Sequence, residues 1–445
     1  MSTIHTNIPH YEKISKSRIS IREQRMGTLI IWFAALILLE GVLRKWLLTP
    51  IEQPLIFIRE PVLFLIYYYY ARDFGIRKSW FIPYLLFSGL IVVLALTQAI
   101  YWEYPILVPL LGIRFYIFYI PLAFIMGEVL TQTQMARLLR FLLLTAIPIG
   151  FLVFLQFLSP VESPINKGLS DDVDGRFTVI EGIVRPYGTF TFVAPQANWA
   201  AMLLAVIIIC WERLKTFSIP KWLFAAAMSA TLVIGALSGS RTYFGLAIIV
   251  MIFYVLAGLT SSNIAIGVKR LFYVFSLVFI FLIVFMVAIP KAYESMSQRQ
   301  ESAVEIEGST VGRAVSSLDI VDSFNHAPIL GYGLGAGSNA GNAVRGASGF
   351  SLGENEWGRM ISELGILFGY PIILLRILFV IFLGYSALMI NRRVGDGSAL
   401  IFFGCIGSIL LTGSITMQNQ ILAICWFAVG LQLAFINLAK QDRVK

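Results

Sequence analysis

The chain has 445 residues, of which AVILMFWYC make up 58% and DEKR only 13%, with a formal net charge of +9 and a mean hydropathy of +0.80. A soluble domain carries about 25% charged residues, so the two or three soluble domains that this length would otherwise suggest are excluded. In so apolar a chain the positive excess orients the protein in a bilayer instead of binding nucleic acid, and the lipid bilayer is the expected surrounding.

Apolar blocks of about 20 residues, long enough to span a bilayer as helices, predict about twelve spans near 28–48, 53–71, 80–99, 105–127, 138–159, 190–211, 221–237, 242–259, 270–290, 358–388, 397–415 and 419–438. Ahead of them, residues 1–27 are polar and basic, and the first apolar block is too long for a cleavable signal peptide and lacks a small-residue cleavage site. The linkers alternate in charge. Even-numbered linkers carry Arg72, Lys78, Arg137, Arg140, Arg213, Lys269 and Arg392, whereas the linkers near 160–189 and 291–357 hold Asp171, Asp172 and Asp174, then Glu294, Glu301, Glu305 and Glu307. Basic residues stay on the cytoplasmic side, which places both termini inside and the two long linkers outside. The expected fold class is therefore all-α, one integral membrane domain over 1–445, with 291–357 as an extracytoplasmic loop subdomain between spans nine and ten. Within that loop Val315, Leu318 and Val321 recur every three residues, which predicts a short amphipathic helix over 312–325 on the membrane surface. Cys210, Cys405 and Cys425 fall in or at the ends of apolar segments with no metal or disulfide spacing.

Charge inside an apolar span costs roughly 2.5–3.5 kcal/mol on insertion scales. Arg59 and Glu60 lie in span two, Arg114 in span four and Arg376 in span ten, while Arg44 and Lys45 sit at the outer end of span one. Arg185, Arg241, Arg313, Arg345 and Arg359 also map to the outer side. Guanidinium groups bind phosphate oxygens in a planar, two-point fashion and keep their charge, so several of them around an outward cavity suit a pyrophosphate. The alternative for each is a local carboxylate partner or a headgroup. Glu356, Arg359 and Glu363 share one helical column, with Glu354 just ahead of it as either a helix-terminus charge or a general base. His326, the outward histidine, is a loop hydrogen-bonding residue or a site residue. The glycines at 331, 333, 335 and 337 read as sharp turns; no strand precedes them as a nucleotide loop requires. No HExxH occurs, and the DDVD run reads as a solvated loop, so no metal site and no cofactor are expected.

Three segments carry a family resemblance. RPYGTFTFVAPQANWA (185–200) resembles an Arg-x-x-Gly-Thr-Phe motif, LSGSRTYFGLA (237–247) a Ser-x-Ser-Arg turn, and HAPILGYGLG with ENEWGRMISELGILFG a Pro-x-x-Gly-x-Gly turn and the start of the next span. Together they resemble the O-antigen ligase and Wzy-type polysaccharide polymerase superfamily, best over residues 180–370. The family's catalytic His falls on Glu354 here, with Asn355 matching the neighbouring Asn, so the chain departs from the ligase pattern and leans towards an exopolysaccharide or capsule polymerase. The resemblance implies a GT-C-like fold in a bacterial inner membrane and a glycan donor on undecaprenyl pyrophosphate. It further implies a growing glycan acceptor and inverting, metal-independent transfer, with flippase and chain-length regulator proteins as neighbours. It gives Arg185 and Arg241 the diphosphate and Glu354 the acceptor hydroxyl; Arg345, Arg359, Arg313 and His326 become substrate-binding residues. The rivals are a ligase to a different acceptor, a twelve-span secondary transporter, whose marks are charged midplane groups on broken helices, and a non-catalytic scaffold of an export complex.

Overall fold

A computed structural model describes residues 8–76, 78–169, 178–180, 183–261, 264–288, 327–345 and 355–444. Its helices are α1 (Ile8–Val42), α2 (Glu60–Phe74), α3 (Phe81–Tyr101), α4 (Leu107–Ile113), α5 (Ile120–Val129), α6 (Gln132–Leu158), α7 (Val193–Glu212), α8 (Lys221–Leu237), α9 (Arg241–Leu259), α10 (Ala265–Ala288), α11 (Asn339–Arg345), α12 (Glu356–Val394), α13 (Ser398–Thr412) and α14 (Asn419–Val444). The described strands are β1 (Thr178–Ile180) and β2 (Ile183–Val184), an antiparallel pair between α6 and α7. Two π-helical turns extend or join helices: Leu43–Leu47 continues α1, and Arg114–Phe118 joins α4 to α5.

Among the described residues, eight helical stretches are long and apolar enough to cross a membrane, and α8 and α13 are apolar but shorter. The architecture is polytopic and helical, as the composition requires. Each of the twelve apolar segments contains helix, but span two does not begin at 53. Residues 49–57 form two 3-10 turns, each led by a proline, and α2 starts only at Glu60. Proline has no N–H for a helical ladder, and irregular backbone at membrane depth persists only where protein or a cavity covers it.

The buried centre is α7 and α14. In α7, 89% of the apolar window is buried, against 17% in α12. The first turns of α7 read APQANWAA, and small residues let helices approach closely where water supplies no driving force. On α12, Leu374, Leu375, Leu378, Ile381 and Phe382 stay exposed, a continuous apolar face that suits lipid.

The linkers sort into two ends of the bundle. At one end Arg25 pairs with Asp73, Lys78 with Glu128, Arg213 with Asp396 and Arg270 with Glu212. The hydrogen bond from Arg72 holds the Asp73 carboxyl below its ordinary range, with Arg22 and Arg25 nearby. At the other end Lys45 bonds the 188–190 segment, Trp102 bonds Gly331 and Asn339 bonds Met417. No hydrogen bond or ion pair in either set crosses from one end to the other.

Candidate functional site

A cavity of about 650 Å³ opens at the second end, walled by the end of α1, the 3-10 segment, the start of α7, α11 and the turn before α14. In and behind its wall lies a buried charge network. Arg44 donates to Glu40 at 3.2 Å, and Arg59 lies 3.0 Å from the other oxygen of Glu40. Arg114 pairs with Glu60, and Tyr119 donates to the same Glu60 oxygen at 2.9 Å. Asn419 joins the halves: its carbonyl accepts from Arg59 and its side-chain oxygen from Arg114. Arg114 also donates to the carbonyl of Ile56 in the 3-10 segment. A buried charge needs such partners, because desolvation costs several kcal/mol per ion, on the order of what an excellent pair returns.

Both π-helical turns carry cations of this region, Arg44 and Lys45 in one and Arg114 in the other. An extra residue in a helical turn redirects side chains, and such turns concentrate at functional sites. Lys45 is fully buried, bonds the carbonyls of Gly188 and Phe190 at 2.8 and 2.7 Å, and faces the Tyr187 ring. It anchors the segment that follows Arg185. Gln156 bonds the same Gly188 through both N–H and carbonyl.

A second polar cluster sits at the start of α12. Glu356 pairs with Arg359 and with Arg376 and accepts from the N–H and hydroxyl of Thr416. Arg376 also bonds the carbonyls of Leu410 and Gly413, the free end of α13, where a cation complements the helix dipole. Glu363, by contrast, accepts from Tyr116 at 2.8 Å and from the N–H of Gly337 at 2.7 Å. The expected column thus divides, with one carboxylate serving the arginines and the other the glycine turn. Gln98 completes the tie by bonding the carbonyls of Leu330 and Glu363 and the N–H of Leu334.

The sequence-derived candidates separate. Arg185 is half-buried and lies six residues before Thr191, which lines the cavity. Arg241 is also half-buried and opens α9, which packs on α7 with both helices starting at the cavity end. Neither lines the cavity. Arg345 closes α11, next to cavity-lining Val344, but its guanidinium bonds Asn342 and lies 5.6 Å over the Tyr104 ring. Arg359 is fully buried on Glu356. Glu354, His326, Arg313, the 312–325 helix and the DDVD run lie outside the described residues. Asn355, beside Glu354, caps α12 by accepting from the N–H of Trp357.

Sequence reasoning missed Glu40, Glu52 and the amides Gln418, Asn419 and Gln420. For Glu40 the signal was present: a carboxylate four residues before an arginine inside an apolar block is a helical ion pair. For the amides it was the polar run MQNQ between two apolar segments. Comparison with known protein families and with curated proteins finds no match to this chain.

Proposed function

We propose that the chain is a polysaccharide polymerase that transfers a glycan from undecaprenyl pyrophosphate to an acceptor sugar hydroxyl at the outer face of a bacterial inner membrane. The observation that supports it is the cavity of about 650 Å³, with charged and amide side chains set in a largely apolar wall, at the end of the bundle opposite the basic linkers, within the roughly 300–1,000 Å³ of small-molecule sites. In this reading twelve spans cross the membrane, both termini are cytoplasmic, and the cavity faces outward. Arg185 and Arg241 hold the diphosphate at the starts of the α7 and α9 segments. The acceptor oxygen attacks the anomeric carbon, its proton passes to Glu354, and the anomeric C–O bond breaks. The electron pair leaves on the lipid diphosphate, where guanidinium groups stabilise the developing charge. Arg345, beside the cavity wall, is a secondary contact. The buried arginines Arg59, Arg114 and Arg376 are engaged by carboxylates and backbone carbonyls, which favours the enzyme over a transporter that needs them for cargo. Deleting the gene tests the proposal: lipid-linked single repeat units are expected to accumulate while polymer disappears. Normal polymer with no such accumulation would overturn it.

A further inference from the structure

The cavity was expected to suit a pyrophosphate, yet its wall is chemically something else. Among the described residues, the charged side chains that line it are Glu40, Glu52 and Arg44, and Glu40 is itself buried between the guanidinium groups of Arg44 and Arg59. Arg59 and Arg114 stand behind it, bound to Glu40, Glu60, Asn419 and Ile56. A diphosphate presents only acceptors and negative charge, and among the described residues it would meet the Glu52 carboxylate beside an Arg44 already paired with Glu40. The remaining described lining mixes amides and Thr191 with Phe57, Phe192, two prolines and a larger number of aliphatic side chains, Leu107, Leu111 and Met417 among them.

Several buried polar atoms on this wall have no partner among the described residues. Donors are Nε2 of Gln420 and Nε of Arg44; acceptors are Oε1 of Gln418 and Oε2 of Glu52. Gln420 is 2% exposed, and its other side-chain atom is already used, accepting from the N–H and hydroxyl of Thr191 at 3.0 and 2.9 Å. Its amide is thus held in one orientation, with the NH₂ left over. Buried polar groups need hydrogen bonds. A wall that offers both unmet donors and unmet acceptors matches hydroxyl groups, which do both, and its apolar side chains match the C–H face of a sugar ring. We infer that this cavity is a carbohydrate-binding subsite, separate from the arginines assigned to the diphosphate. It rests on the polymerase reading for its place in the reaction, and it assigns Gln420, Gln418, Glu52 and Arg44 to the glycan.

Site-specific labelling tests it without relying on activity. Ala343 lines the cavity and is exposed, and the three native cysteines are buried. In the full-length protein in nanodiscs, Ala343→Cys is reacted with a charged maleimide. The competitors are inorganic pyrophosphate, a di- to tetrasaccharide fraction from mild acid hydrolysis of the host's envelope polysaccharides, and a lipid-linked saccharide extract. Either saccharide preparation is expected to slow labelling, the free fraction marking an acceptor chain and the lipid-linked extract alone marking the donor glycan. Pyrophosphate is expected to leave the rate unchanged. Gln420→Glu keeps the oxygen that Thr191 needs and removes the NH₂; it is expected to weaken saccharide protection about tenfold, the scale of one buried hydrogen bond. Protection by pyrophosphate, or by no saccharide, would overturn the inference, as would full protection in Gln420→Glu. The two readings fail separately. Polymer loss on gene deletion without saccharide protection removes the cavity assignment alone, whereas protection with an intact polymer in the deletion strain removes only the polymerase.

Discussion

Glu356 carries the largest consequence of any single side chain. It is 3% exposed and shared by Arg359, Arg376 and Thr416. Replacing it with leucine leaves two guanidinium groups in the bundle without a counter-charge, and breaking a buried pair from one side costs about 3–5 kcal/mol. We expect Glu356→Leu to lower the thermal midpoint in detergent sharply and to reduce the inserted protein. Adding Arg376→Leu should recover part of the loss, because it removes one of the stranded charges. A Glu356→Leu variant as stable as the parent would mean that the cluster is not closed as described. The diphosphate arginines behave differently. Arg185→Lys and Arg241→Lys keep the charge and lose the planar fork, so chain growth should fall about a hundredfold at unchanged protein level. Normal polymer from Arg241→Ala would take that residue out of the site. The contrast also shows what was legible at this scale. Charges stand out against an apolar background, so Arg44, Arg59, Arg114 and Arg376 were visible at once. What they bond was less so: Glu40 stands four residues before Arg44, but the contacts that close the network, such as Asn419 for Arg59 and Arg114, come from hundreds of residues away.

Helix α12 shows how one element positions both polar clusters. It is broken at Gly365, with φ 77° and ψ 170°, and the facing turn carries Gly331 at φ 77°. A side chain at 365 would run into the carbonyl of Ile329 and the N–H of Gly331. The two glycines let the 328–331 turn lie against the break, where Pro328 and Ile329 supply carbonyls to the N–H groups of Ile366 and Leu367. Gly365→Ala combines a positive-φ, extended-ψ backbone that essentially only glycine adopts, about 1–3 kcal/mol for an L-residue, with that collision. It should destabilise the protein measurably, while Gly89→Ala, in open space within α3, should be neutral or stabilising by roughly 0.5–1 kcal/mol. Equal midpoints for the two variants would contradict the packing at the break. Apolar length located the helices well, since every predicted segment contains one. It failed where geometry departs from the α-helix. The 3-10 turns of 49–57 and the π-turns at Leu43–Leu47 and Arg114–Phe118 depend on tertiary bonds such as Arg114 to Ile56, and no periodicity records them.

For the molecule as a whole, the question is which end faces which compartment. Each linker carries its own charge bias, and the structure joins the linkers physically. Arg25, Lys78, Arg213 and Arg270 form their ion pairs at one end, and Lys440 lines a pocket there with Lys78. The Lys45, Trp102 and Asn339 contacts gather at the other. One reversed linker would therefore drag its partners with it, so the orientation is decided for all of them together. Basic residues are held on the cytoplasmic side during insertion, so in the proposed orientation the ion-paired end is inside and the cavity outside. Glu162 and Lys440 are exposed at opposite ends and report the two sides. In intact cells an impermeant maleimide should label Glu162→Cys directly and Lys440→Cys only after the inner membrane is permeabilised. The reverse pattern would turn the cavity towards the cytoplasm, where a donor already flipped to the outer leaflet cannot reach it, and the polymerase proposal would fall with the orientation.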